Sequence, residues 1–353
     1  VAFRFGYFRP KDRSVTYIPA YLRLLLACFV SGSLLLSGCS SNETCQADPE
    51  VAKVPVTVQL ERLEQPFFQI RNVAEAKQFL AREPLFANQF LQRRQFPSDD
   101  ALAEQLVRLS TNQGLQKLGQ ESASEFKDTN ALQGELKQLF QHVRYYFPAF
   151  PVPPVKTFVS GLSQDLFVND SLMVLSLDFF AGPKASYRPN VPEYILRRYE
   201  PAYLLPTAAL AISSKYNQKK RTDQTMLGEM VQFGKSLYFA EKVLPCRADT
   251  LLVGFTNKEL VDLQFNEGKV WAHFIEKNLL YNTTPFIIQK YIGERPNVPE
   301  IGKTCPGRVG AWVGWQIVRK YMAEHPNVTL AQLMAEKDSQ RILNQSRYRP
   351  KRK

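Results

Sequence analysis

The chain has 353 residues, 44% of them hydrophobic, and a formal net charge of +12. The charge is concentrated at the ends: the first 38 residues contribute +4 and the cluster Arg347, Arg349, Lys351, Arg352 and Lys353 contributes +5, leaving +3 for the rest, so a basic folded body is not indicated. The length suffices for one large domain or two smaller ones with a substantial core.

In chain order, Arg4, Arg9, Lys11, Arg13 and Arg23 stand against the single acid Asp12 and precede an apolar run, Leu24 to Leu36. That is the layout of a secretory signal. The run contains Ser31, Gly32 and Ser33 and is shorter than the ~20 residues of a membrane-spanning helix, so it reads as an h-region. It closes on Leu36-Ser37-Gly38-Cys39, where small residues before a cysteine suit cleavage after Gly38 and acylation of the freed Cys39. Residues 1–38 are therefore predicted to be a lipoprotein signal peptide and Cys39 the lipidation site, carrying diacylglycerol and palmitate-type chains into membrane lipid. Several acyl chains, at ~0.8 kcal/mol per buried methylene, hold a protein on a membrane essentially permanently. Ser40 favours the outer membrane only by analogy with other bacteria. The compartment disfavours a nucleic-acid partner.

Residues 39–53 read as a flexible tether. A single domain is expected over 54–346 and a basic, disordered tail over 347–353. Val54, Val56, Val58 and Leu60 alternate with polar residues or proline, the period of a half-buried strand. Apolar residues at three-and-four spacing predict several amphipathic helices between Val73 and Leu139. After Pro148, Pro151, Pro153 and Pro154, two strands are expected at Val155 to Leu162 and Leu172 to Phe180, paired as a hairpin. Helices follow at Glu193 to Tyr199, Ala208 to Tyr216, Met226 to Leu244, Lys258 to Tyr281 and Gly310 to Met322. The expected class is α+β, helix-dominated, with a small sheet.

Catalytic constellations are scarce. There is no Gly-x-Ser-x-Gly elbow, no phosphate loop and no His-Glu-x-x-His, and His142, His273 and His325 share no helical face. Glu267 and Glu276, nine apart on one predicted helix, point to opposite sides. Glu193 and Glu200 flank Arg197 and Arg198 and read as an ion-paired surface. The expectation is a non-enzyme with no cofactor and no metal. Its rivals are an envelope hydrolase built around Glu267, Glu276 and Asp178, and a carrier of an apolar ligand. Cys246 and Cys305 both sit in turn-like loops and form the natural disulfide pair, with Cys45 left over. In the segment after Cys305, Gly310 and Gly314 lie one helical turn apart and Trp312 and Trp315 flank the groove they leave, which predicts either close helix packing in the core or a docking groove. Trp271, Glu267 and Arg308 join Gly310, Trp312, Gly314 and Trp315 as candidate docking or cleft residues.

Many of these segments together resemble the gliding-motility-associated lipoprotein B (GldB) family of Bacteroidetes. They include Val-Pro-Val-Thr-Val-Gln-Leu-Glu-Arg-Leu, His142-Val-Arg-Tyr-Tyr-Phe-Pro, Val-Leu-Ser-Leu-Asp178-Phe-Phe-Ala-Gly182, Gly234-Lys235-Ser-Leu-Tyr238 and Asn266-Glu267 with Trp271. The most specific is Cys305-Pro-Gly-Arg308-Val-Gly310 through Gln316, followed by Ser346-Arg-Tyr348-Arg-Pro350. The resemblance implies an envelope lipoprotein supporting gliding motility and the surface secretion machinery, with proteins of that machinery as partners and no established catalysis. The family's layout is also similar to a group of predicted zinc-dependent proteases. That kinship implies a degenerate zincin-like, metalloprotease-like scaffold lacking the metal motif, whose cleft binds rather than cuts. Cys246 and Cys305 are not part of the family's pattern.

Overall fold

A computed structural model describes residues 48–350, which fall within one compact unit, Ala47–Lys353. The predicted signal peptide, Cys39 and Cys45 lie outside the described residues. Regular structure begins earlier than the predicted tether allows. Pro49–Ala52 forms a short helix capped by the Asp48 carboxylate, and its Val51 is buried. From Val54 the chain is extended, and Val56 and Val58 are buried, but ladder pairing is confined to β1, Leu60–Arg62. The reason lies in the long helix α1, Thr129–Tyr146, which runs alongside and supplies side-chain donors where a neighbouring strand would supply backbone ones. Gln133 donates to the Val58 carbonyl (2.8 Å), Gln141 to that of Val54 (3.0 Å) and Arg144 to that of Pro55 (2.8 Å). Backbone acceptors are thereby satisfied without a strand partner.

The sheet has four strands in the order β1-β2-β4-β3, with β2 at Val155–Phe158, β3 at Leu166–Val168 and β4 at Met173–Ser176. β2 and β4 are parallel neighbours, so the hairpin expected between them is corrected: the antiparallel partner of β4 is β3. β3 is only three residues long, which is why periodicity passed over it, and the Asn169-Asp170 turn joins it to β4. The pleat sends alternate residues to two cores. Val155, Met173 and Leu175 enter the larger one, while Phe158 and Val174 enter a smaller one built with Phe67, Phe79 and Phe86. In the small core the rings of Phe67 and Phe86 meet Phe158 edge-on at 4.9 Å.

The second half is helical. α2 spans Leu204–Ser213, α3 Met226–Val243, α4 Asp249–Val253, α5 Asn257–Phe265, α6 Glu267–Glu276, α7 Val309–Glu324 and α8 Ser339–Ser346. The helix expected at Glu193 to Tyr199 is shorter, Glu193–Leu196, and the one expected at Ala208 begins at Leu204. The single helix expected from Lys258 to Tyr281 is two helices. Asn266 ends α5, its side-chain amide donating to the Asp262 carbonyl (2.8 Å), and directly precedes α6 without a side-chain cap. α3 and α7 cross at the centre of the large core. A Cβ on Gly314 would overlap the Met230 carbonyl of α3, and one on Gly234 would overlap the Gly314 backbone, both well inside the 3.0 Å that real Cβ contacts respect. Glycine is required there for backbone approach, and Trp312 and Trp315 on either side are 1% and 0% exposed. The groove is therefore filled, at Gly314 by the α3 backbone and at Gly310 chiefly by Ile292 and Tyr291, and the docking alternative for it is corrected to core packing.

Candidate functional site

The predicted site residues divide between the core and two separate concavities. Trp312, Trp315, Gly310 and Gly314 are core. Trp315 donates from Nε1 to Glu241 (2.9 Å), and Arg319 stacks on its ring at 3.7 Å while forking onto Asp249 through two 2.8 Å hydrogen bonds. This network fixes α7 against α3 and leaves neither tryptophan for a partner.

Trp271 lines a cleft of about 550 Å³, together with Ile275, Tyr281, Leu343, Arg347 and Arg349. One wall is α6 and the other is α8 with the chain that follows it. α8 is capped by Asp338, whose carboxylate accepts from the Arg341 amide (2.9 Å), and buries Ile342 and Ser346 against the large core. At its end Arg347 takes the left-handed conformation (φ 51°) that terminates helices. The chain then hooks back, the Ser346 hydroxyl accepting from the Tyr348 amide (3.2 Å). Tyr348 is 7% exposed; its ring meets Trp271 edge-on at 5.1 Å and its hydroxyl donates to Glu267 (2.7 Å). Burial, then Glu267, pushes the phenol's pKa upward. Of the tail expected over 347–353, residues 347–350 are tied down by an aromatic side chain with a buried hydrogen bond, and 351–353 lie outside the described residues.

The cleft combines an aromatic wall, solvent-facing apolar side chains and two guanidinium groups. Ile275 and Tyr281 are 47% and 61% exposed, large apolar surface that the fold itself leaves open. Sequence reasoning found Trp271 and Glu267 but missed Tyr281, Arg347 and Tyr348. Tyr348 stood within a quoted motif, yet the surrounding basic residues made the whole segment read as solvated tail.

The carboxylates of the hydrolase alternative are not assembled. Glu267 and Glu276 occupy opposite ends of α6, roughly 13 Å apart at 1.5 Å rise per residue, beyond the ~5–9.5 Å of paired glycosidase carboxyls. Asp178 is 1% exposed and clasps a loop: it accepts from the amides of Ser160 (3.0 Å) and Leu162 (2.7 Å), holding Leu162 at φ 59°. Burial raises its pKa, against those hydrogen bonds. The histidines are locally engaged, His142 with the Gln138 carbonyl, His273 with the Tyr291 hydroxyl and His325 with the Tyr321 carbonyl. Among the described residues no group of three metal-ligating side chains converges.

The proposed Cys246–Cys305 bridge is corrected. Cys305 is a free thiol, while Cys246 is disulfide-bonded. Cys305 sits inside a closed loop, its carbonyl accepting from Val298 (2.7 Å), and burial pushes its thiol up to about 12. Arg197 and Arg198 are ion-paired, but with the distant Glu259 (2.8 Å) and Glu294 (2.8 Å) rather than with Glu193 and Glu200. Arg308 lines neither the Trp271 cleft nor the α3–α7 crossing; it belongs to a second concavity.

No helix of the described residues is long and apolar enough to cross a membrane. Comparison with curated proteins and with solved structures returns no match. The family model described as gliding motility protein GldB matches residues 44–350, which takes in the extended valine segment, the α3–α7 crossing and the Tyr348 hook in one alignment. The chain belongs to the gliding motility protein GldB family.

Proposed function

We propose that this gliding-motility lipoprotein is a non-catalytic docking subunit of the cell envelope. It is anchored through acylated Cys39, on the outer membrane, and engages a protein of the gliding and surface-secretion machinery through the Trp271 cleft. The observation that carries this reading is the cleft's combination of exposed Ile275 and Tyr281 with Arg347 and Arg349. Apolar and aromatic anchors beside arginine are the composition of protein-binding surfaces. The guanidinium groups favour a partner segment carrying acidic side chains next to an apolar one. The scattered carboxylates support binding over hydrolysis, since general acid–base chemistry needs groups within reach of one reacting centre.

The test is deletion of the gene in its own organism, scored for colony spreading and surface secretion, with complementation. Wild type and a Glu267→Gln, Glu276→Gln variant are expected to restore both traits at equal protein level, and Cys39→Ala is expected to restore neither. Loss of rescue by a folded carboxylate variant would reopen the hydrolase, and normal spreading after deletion would remove the motility role.

A further inference from the structure

The second concavity, about 370 Å³, lies where the chain around Arg198, the end of α4 and the start of α7 converge. Two guanidinium groups face it. Arg198 is held through Gly254, whose φ of +75° and missing Cβ make room for the arginine stem. Arg308, directly before α7, adopts the left-handed region (φ 61°), a strained choice for a side chain of its size. Its Nη1 donates to the Val253 carbonyl at the end of α4 (3.1 Å).

The two arginines share one carboxylate. Glu294 lies 2.8 Å from Arg198 Nη2 and 3.4 Å from Arg308 Nε, and its side chain is 41% exposed. Arg197 is matched separately by Glu259. Asp165, also on the wall, accepts from the Tyr199 hydroxyl (3.2 Å) and makes no ion pair with either arginine. Arg198 Nε is buried with no hydrogen-bond partner. A buried donor without an acceptor costs free energy, as do two cations on one anion, and one further acceptor relieves both. Burial, then the neighbouring Arg198, pulls Arg308 down to about 10, consistent with a site short of negative charge. The remaining wall is apolar or aromatic, including Tyr203, Leu210 and Leu251.

We propose that this pocket binds a carboxylate carried on a small apolar body, the carboxylate joining Glu294 on the Arg198–Arg308 pair and the body resting against Tyr203, Leu210 and Leu251. One negative charge, not two, suits a site that keeps Asp165 on its wall. The site is separate from the Trp271 cleft and does not depend on the docking reading.

The test is calorimetric titration of the purified full-length chain with 3-phenylpropionate, its neutral amide and inorganic phosphate. Saturable binding of the carboxylate is expected, with none for the amide and weaker binding for phosphate. Glu294→Gln removes the competing carboxylate and is expected to tighten binding about tenfold, an equivalent of ~1.4 kcal/mol, an effect that a purely structural Glu294 would not give. Arg198→Met is expected to weaken it at least about tenfold. Absence of saturable binding to both wild type and Glu294→Gln at millimolar ligand overturns the proposal. So does equal binding of the amide, and phosphate binding as tight as the carboxylate overturns the assigned ligand class.

Discussion

Replacing Gly314 with alanine tests the reading of the tryptophan–glycine helix as core rather than surface. In an open helix the change stabilises, because glycine costs ~1 kcal/mol relative to alanine. At Gly314 the added methyl runs into the Met230 carbonyl of α3, a backbone atom that cannot rotate aside. The helices must separate at the crossing that buries Trp312 and Trp315, and overpacking of this kind costs ~1–3 kcal/mol. With the upper part of that range and the propensity gain set against it, Gly314→Ala is expected to destabilise by about 2 kcal/mol. Gly134 in α1 supplies the control, since a Cβ there meets nothing within 4 Å. Gly134→Ala is expected to stabilise by about 1 kcal/mol. The assay is equilibrium unfolding in urea with both variants beside wild type, comparing midpoints at unchanged slope. If the two substitutions shift the midpoint in the same direction, the close α3–α7 contact is wrong, and with it the removal of this helix from the candidate binding surface.

Four further outcomes follow from polar groups that the fold engages. Lys235 is 2% exposed and donates to the carbonyls of Gln218 (2.6 Å) and Glu336 (2.8 Å); burial lowers its pKa from 10.5 to about 8. The unfolded chain then holds the proton more tightly, so this group adds stability as pH rises from about 8 to 10.5, by up to roughly 3 kcal/mol. The wild-type thermal midpoint measured relative to Lys235→Met should climb over that window, and a flat difference would contradict the assignment. Arg319→Lys keeps the charge but loses the fork onto Asp249 and the stack on Trp315, an expected cost of about 2 kcal/mol in denaturant unfolding. Tyr348→Phe should cost about 1 kcal/mol through the lost hydrogen bond to Glu267. Truncation after Arg347 should open Trp271 to acrylamide quenching while the buried Trp312 and Trp315 stay protected. Unchanged quenching would show that Tyr348 does not cover Trp271.

Periodicity was most informative where a helix contacts the core over several turns. α3, expected at Met226 to Leu244, ends one residue earlier, and α7, expected at Gly310 to Met322, is slightly longer. It was least informative where pairing is not local. The valine segment alternates as a strand should, but its acceptors go to the side chains of α1, and no pattern within the segment encodes that. β3 is too short for alternation to register, so β2 and β4 read as a hairpin although they lie parallel. The glycine spacing in α7 correctly signalled a close approach and could not say whose backbone would fill it. Trp271 and Arg308 looked like parts of one site and line two. The partners that separate them, Tyr348 for one and Arg198 with Glu294 for the other, come from distant parts of the chain. Cysteine pairing failed for a similar reason: two loop cysteines looked equivalent, but the loop around Cys305 closes over its thiol.

The docking claim rests on side chains that the fold does not need, which makes it directly testable. Ile275 and Tyr281 are exposed, so Ile275→Asp with Tyr281→Asp should leave the unfolding midpoint nearly unchanged, within the ~0.5 kcal/mol usual for surface positions. Colony spreading of a strain whose sole copy of the gene carries this pair is the decisive measurement. The account predicts a stable, normally abundant protein and a strain that fails to spread. Full spreading with that variant present at wild-type level would contradict the claim that the Trp271 cleft is the working surface of the protein.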